Sequence, residues 1–224
     1  MIKILLVDDH ELVRTGIEHL LHKEKDFCVV GTASTGEEAI QLTGILSPDI
    51  ILMDINMPGI GGIEACRKIN HTHPDIKIIA LSVHTEGPFP QQLLNVGAHG
   101  YISKNCPHGE LLEAVRSVAE GQRYLSKDIA NVLAMESLPG RSSTPFSQLS
   151  NRELQVVLMT LQGKALHEVG DMLKISPKTA TTYRARAYEK LGVRNEVELT
   201  RLAGRFNFHH DSNSPSPTLN LMQN

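Results

Sequence analysis

Ile2-Lys3-Ile4-Leu5-Leu6-Val7-Asp8-Asp9-His10 is the stretch whose reading decides the fold. Five of its first six residues are apolar, with none of the period-two alternation of a half-exposed strand. Such continuity is what a parallel strand buried on both faces requires. The run then stops at two carboxylates, too short and too soon acidic for a secretory leader. Working outward, strand-like runs recur at Phe27–Ala33, Ile50–Met53, Ile76–Leu81 and Gly100–Ser103. Between them apolar residues repeat at helical spacing: Leu12, Val13, Ile17, Leu20 and Leu21; Ala39, Ile40 and Leu42; Ile63, Cys66 and Ile69; Leu93, Leu94 and Val96; Leu111, Leu112, Val115 and Val118. Ser34-Thr35-Gly36-Glu37 reads as a capping box, and Asn105 as the cap of the last helix with Pro107 in its first turn. Five β–α units over residues 1–122 predict an α/β doubly wound parallel five-stranded domain.

Beyond it, residues 123–147 read as a linker around Leu138-Pro139-Gly140-Arg141-Ser142-Ser143-Thr144-Pro145, with a short helix near Ala130 and Leu133. Residues 148–207 carry no strand pattern and read as a small all-α four-helix domain, broken at Gly163, at 174–176 and at 192–195. Residues 208–224 read as a flexible tail. The whole chain has 224 residues and a net charge of −3. That mean hides an asymmetry: residues 1–122 hold 9 Lys+Arg against 16 Asp+Glu, and residues 148–205 hold 10 against 6. The three cysteines (Cys28, Cys66, Cys106) lack metal-ligand or CxxC spacing and read as small hydrophobes of a reducing, cytoplasmic protein. No apolar run reaches the ~18–20 residues of a membrane span.

In an open α/β sheet ligands bind outside the carboxyl ends of the strands. Asp8 and Asp9 follow the first strand, Asp54 the third, Ser82 the fourth and Lys104 the fifth, so five polar residues converge on one edge. Three carboxylates this close repel and raise one another's pKa unless a cation joins them. An oxygen-only set suits Mg²⁺, with the backbone carbonyl of Asn56 placed to help. The same set suits phosphoryl transfer, in which a carboxylate attacks in line while a cation and a lysine neutralise the phosphoryl oxygens. Asp54, alone at its strand end, is the better nucleophile; Lys104 would pair with the acyl phosphate, and Ser82 would hydrogen-bond it.

Residues 1–122 resemble a response-regulator receiver domain of flavodoxin-like topology. The residues that carry the likeness are Leu5–His10, Met53-Asp54-Ile55-Asn56-Met57-Pro58-Gly59-Ile60-Gly61-Gly62, Ala80-Leu81-Ser82 and Gly97-Ala98-His99-Gly100-Tyr101-Ile102-Ser103-Lys104. The resemblance implies phosphotransfer to Asp54 from a sensor histidine kinase, through a hybrid kinase or phosphotransfer domain. It implies Mg²⁺ held by Asp8 or Asp9, Asp54 and the Asn56 carbonyl, and a switch in which Ser82 moves onto the phosphoryl group while Tyr101 rotates inward. Tyr101 also reads simply as a core aromatic. One departure is His84-Thr85-Glu86-Gly87-Pro88-Phe89-Pro90, whose prolines shorten or delay the fourth helix. Phe89 has two readings there, partner surface or plug for the shortened helix.

In the second domain Leu166–Leu173, a Lys174-Ile175 turn, a Ser176 cap and Pro177 opening a helix to about Leu191 form a helix-turn-helix pattern. Ala180, Ala187 and Leu191 mark the buried side of the second helix. Lys178, Thr181, Thr182, Arg184 and Arg186 mark the other, where bases and phosphates of double-stranded DNA would lie. Residues 149–203 resemble the LuxR-type (NarL/FixJ) output domain, through Leu149-Ser150-Asn151-Arg152-Glu153, Glu168-Val169, Ile175-Ser176-Pro177-Lys178-Thr179 and Lys190-Leu191-Gly192-Val193. The resemblance places base reading on Thr181, Thr182 and Ala185, phosphate contacts on Lys178, Thr179, Arg184 and Arg186, and the homodimer contact on about Glu196–Arg205. Within the family the chain looks most like the GacA/UvrY/LetA branch. Gly170 departs from the bulkier family residue, which predicts looser packing by about 1 kcal/mol. The expectation is a phosphorylation-switched transcription regulator, whose unphosphorylated receiver masks or misorients the DNA-reading helix. An Asp-nucleophile phosphatase fits less well, since Asp8-Asp9 is not the Asp-x-Asp of such enzymes and no cap domain follows. Gly163-Lys164-Ala165 lacks the glycine and hydroxyl of a nucleotide-binding P-loop.

Overall fold

The computed structural model describes residues 1–83, 89–136 and 144–206. The first part alternates β1 (Ile2–Val7), α1 (Glu11–Leu21), β2 (Phe27–Ala33), α2 (Gly36–Leu46), β3 (Ile50–Asp54), α3 (Gly61–Thr72), β4 (Lys77–Ser82), α4 (Phe89–Asn95), β5 (Gly100–Ser103) and α5 (His108–Ala119). All strand pairs are parallel, in the order β2-β1-β3-β4-β5-β6. The sheet therefore has six strands rather than five. The sixth, β6 (Tyr124–Leu125), pairs with Gly100 and Tyr101 and is too short to leave a periodic signal. It lies in the stretch read as linker, and α6 (Lys127–Glu136), which buries Ile129, follows it directly.

Alternate residues of each strand feed opposite layers. Ile4, Leu6, Ile50, Leu52, Ile79 and Leu81 pack with Leu21 of α1 and with Leu111, Val115 and Val118 of α5. Leu5, Val7, Ile51, Met53, Ile78 and Ala80 pack with α2, α3 and α4 on the other side. Both faces are buried, which is why the strands are apolar without interruption.

Local details differ from the expectations in two places, and at a third the structure chooses between two readings. The cap of α2 is shifted by one residue: Thr35 accepts from the Glu38 amide, and the Glu38 carboxylate accepts from Ser34, which frees Glu37 for another partner. Asn105 does not cap α5, whose first residue is His108 with Pro107 before it; the Asn105 amide donates to Ser103 Oγ instead. Phe89 opens the short α4 and is buried, so it is the plug and not an exposed surface. The rest of the proline segment, 84–88, lies outside the described residues, as does the tail.

The second part begins with a 3-10 turn, Pro145–Gln148, followed by α7 (Asn151–Leu161), α8 (Leu166–Leu173), α9 (Pro177–Leu191) and α10 (Glu196–Arg205). Each boundary follows from chemistry at the ends. Ser150 and Glu153 form a reciprocal capping box on α7. Ser176 caps α9 ahead of Pro177, and Asn195 caps α10. A Cβ on Gly170 would stand 2.9 Å from the Ile175 carbonyl oxygen. The glycine thus lets the turn close tightly on α8, the opposite of the loosening expected.

Candidate functional site

The strand order reverses direction between β1 and β3, and the acidic residues leave the sheet at that point. Asp8 follows β1, Asp54 and Ser82 are the last residues of β3 and β4, and Lys104 follows β5. The Lys104 ammonium lies 2.7 Å from Asp8 Oδ2 and 2.8 Å from Asp54 Oδ2, bridging two buried carboxylates. The other oxygens are held by backbone: Asp8 Oδ1 accepts from the His10 amide at 2.9 Å, and Asp54 Oδ1 from the Asn56 amide at 3.1 Å. Burial pushes the Asp54 carboxyl well above its usual range; Lys104 pulls it down, and the nearby Asp8 charge adds to the rise. Burial works against the Lys104 charge, but the two carboxylates outweigh it and hold the lysine protonated. Tyr101 is fully buried, its hydroxyl bonded to Ser82 and its ionisation pushed up by burial. The inward position expected of a switched state is already occupied.

Asp9 stands at the mouth. Among the described residues, Asp8, Asp9, His10 and Asp54 each offer one ligand atom, and these four atoms lie within 4.8 Å of one another. Lys104 pairs with Asp8 and Asp54 while Asp9 faces His10, so three carboxylates stand beside one lysine and the pocket suits a hard divalent cation. His10 was missed by sequence reasoning, although its position directly after Asp8-Asp9 was the available signal.

The loop after β3 carries a second feature that sequence reasoning missed. The Gly59 amide donates to the Met172 carbonyl of α8 at 3.1 Å, and the Gly59 carbonyl accepts from Arg152 Nη1 of α7 at 2.9 Å. Gly59 has φ 76°, a left-handed conformation open to glycine, and a Cβ there would collide with the Glu37 carboxylate. Glu37 in turn accepts from the Ile60 amide at 3.2 Å. A third link runs from Gln92 of α4 to the Leu149 carbonyl at 3.1 Å. These long-range partners have no local sequence signature.

On α9, Lys178, Thr181, Thr182, Ala185 and Arg186 are exposed and together form an open face. Thr181 and Thr182 donate their hydroxyl protons to the carbonyls of Pro177 and Lys178, which leaves their oxygens as acceptors. Thr179 and Arg184 are half-buried and engaged within the domain: Thr179 Oγ1 lies 2.8 Å from Ser176 Oγ, and Arg184 pairs with Glu196 at 3.2 Å over the Tyr188 ring. The receiver's hydrogen bonds reach α7, α8 and Leu149. They leave the face of α9 named above exposed.

The fold is an α/β domain with an acidic pocket at its strand ends, joined to a helix-turn-helix domain. Residues 4–116 match the response regulator receiver domain family, and residues 147–203 match the bacterial regulatory proteins of the luxR family. The chain is 48% identical over 206 residues to "Response regulator UvrY" of Escherichia coli (strain K12), covering 92% of this chain and 94% of that one. It is 48% identical over 206 residues to "Response regulator GacA" of Pseudomonas syringae pv. syringae (strain B728a), covering 92% and 96%. Among solved structures, a two-component response regulator of the LuxR family from Aurantimonas sp. SI85-9A1 aligns with TM-score 0.58 and 36% identity, over 61% of this chain and 97% of that one. Salmonella enterica serovar Typhimurium RcsB, bound to promoter P1flhDC in the presence of the phosphomimetic BeF3-, shares the fold with TM-score 0.68 and 24% identity, over 91% and 98%. The chain belongs to the two-component response regulators with a luxR-type DNA-binding domain, a family of transcription regulators.

Proposed function

We propose that Asp54 accepts a phosphoryl group from the phosphohistidine of a sensor kinase or phosphotransfer domain, and that this shifts the output domain into a DNA-binding homodimer. The observation that carries the reading is Lys104 placed between Asp8 and Asp54 in a buried pocket. An Asp54 carboxylate oxygen attacks phosphorus, the phosphorus–nitrogen bond breaks, and the donor imidazole leaves with the bonding pair and takes a proton. Lys104 pairs with the phosphoryl oxygens, and the Ser82 hydroxyl donates to one of them. Asp8 or Asp9, Asp54 and the Asn56 carbonyl would hold Mg²⁺, which would supply neutralisation of phosphoryl charge.

The signal leaves through the loop that starts at Asp54. Five residues on, Gly59 holds both α7 and α8 by its peptide groups, so movement of this loop bears directly on the orientation of α9. Reoriented, α9 would read bases through Thr181, Thr182 and Ala185 and grip phosphates through Lys178, Thr179, Arg184 and Arg186. Dimerisation would use α10, where Val197 is an exposed apolar residue. The setting is the cytoplasm, where the donor domain and the DNA both are. The chemistry is stoichiometric on the protein itself, with no external substrate.

Incubation with Mg²⁺ and acetyl phosphate tests this. Wild type should gain one phosphoryl group by intact mass, and Asp54→Ala none. Promoter-DNA affinity should rise with phosphate donor in wild type alone. Equal affinity of both proteins with and without donor overturns the switch, and sustained turnover of a phosphate ester overturns the stoichiometric reading.

A further inference from the structure

We infer that His10 is a nitrogen ligand of the acidic pocket and tilts its metal preference from Mg²⁺ toward later first-row divalent ions such as Mn²⁺ and Co²⁺. The inference rests on the metal pocket proposed above and adds a donor that the oxygen-only reading lacks.

His10 stands at the N-cap of α1, a position where side chains commonly accept from the helix amides. Its imidazole makes no such bond. The ring lies over the carboxylates instead, with Nδ1 3.0 Å from Asp9 Oδ1 and 3.4 Å from Asp8 Oδ1. The side chain is 66% exposed, so neighbouring side chains do not force it there by enclosure. The backbone does fix its root, because the His10 amide is bonded to Asp8 Oδ1.

The two sides of the pocket are differentiated. Lys104 takes the Oδ2 atoms of Asp8 and Asp54, and His10 faces the Oδ1 atoms of Asp8 and Asp9. A cation that engages Asp8 Oδ1 and Asp9 Oδ1 therefore has an imidazole nitrogen in the same shell without displacing the lysine. Donor atoms within 4.8 Å of one another need to close by only a few tenths of an ångström to surround a single ion, whose opposite ligands lie roughly 4–4.5 Å apart at bonds of about 2.0–2.2 Å. Mg²⁺ favours oxygen and gains little from an imidazole, whereas transition ions gain in the order Mn²⁺, then Co²⁺. His10 thereby makes the pocket a mixed nitrogen–oxygen site.

Calorimetric titration of the full chain with Mg²⁺, Mn²⁺ and Co²⁺ singly, in wild type, His10→Ala and Asp9→Asn, separates the possibilities. His10→Ala should lose on the order of tenfold in Co²⁺ and Mn²⁺ affinity with Mg²⁺ affinity nearly unchanged. Pulsed electron paramagnetic resonance of bound Mn²⁺ should show nitrogen coupling in wild type that His10→Ala abolishes. Asp9→Asn weakens all three ions and locates binding at this pocket rather than at other histidines. Intact Mg²⁺ binding, with an unchanged Co²⁺-to-Mg²⁺ ratio in His10→Ala and no nitrogen coupling, overturns the role of His10 alone. Failure of wild type to bind Mg²⁺, or an Asp9→Asn variant that binds as wild type does, overturns the pocket as well.

Discussion

Asp54 shows at the scale of one residue how a site is held ready at a cost in stability. Burial raises its pKa to about 7, far above the ~3.9 of an unfolded chain, so between those values the folded protein holds the extra proton. The sign follows from that: this group's stabilising contribution is complete below about pH 3.9 and is lost as pH rises through about 7. In chelator, wild type should therefore lose ground to Asp54→Asn on going from about pH 5 to about pH 8. Thermal unfolding should show the gap in Tm widening by a few degrees, at about 2–4 °C per kcal/mol for a chain of this size. Mg²⁺ should narrow it at the alkaline end. A gap independent of pH would mean that the Asp54 proton is not coupled to folding. The carboxylates, Ser82 and Lys104 were all legible from the sequence, because strand ends in a parallel sheet share one edge. His10 was not, because its role depends on where the ring turns.

At the scale of elements, the helix-turn-helix was legible almost to the residue, because Ser176-Pro177 and Gly192 carry their start and stop chemistry locally. The shifted cap of α2 was misread because Glu37 and Glu38 are both competent partners for a cap. Only the neighbouring Ile60 amide decides which of them goes elsewhere. β6 was invisible because two residues have no period. Gly170 was misjudged because helix propensity says nothing about the Ile175 carbonyl opposite it. Gly170→Ala adds a better helix former by about 1 kcal/mol but forces a Cβ against backbone, a type of overpacking that costs about 1–3 kcal/mol. The expected outcome in urea unfolding is net destabilisation of the output domain, up to about 2 kcal/mol. A stabilised variant would show that the turn relaxes freely.

At the scale of the whole molecule, Arg152 and Gly59 join two units whose functions are separate in sequence. A hydrogen bond to a charged group is worth about 1.5–3 kcal/mol, which corresponds to roughly a tenfold or larger shift in a closed population. Arg152→Ala should raise the radius of gyration in small-angle scattering and raise DNA affinity without phosphate, while leaving phosphorylation of Asp54 possible. Unchanged scattering and affinity would show that the Arg152–Gly59 bond does not hold the units together. The sequence by itself determined the α/β receiver, the four-helix output domain, the pocket residues and the basic face of α9, because each is written in periodicity, caps or strand-end position. Tertiary structure alone decided that Gly59 ties the phosphoacceptor loop to α7 and α8, that α9 stays open in this arrangement, and that His10 turns over the carboxylates. The physical reason is range: periodicity and capping act within a few residues of the chain. The Gly59–Arg152 bond spans 93 positions and exists only once the two cores have packed.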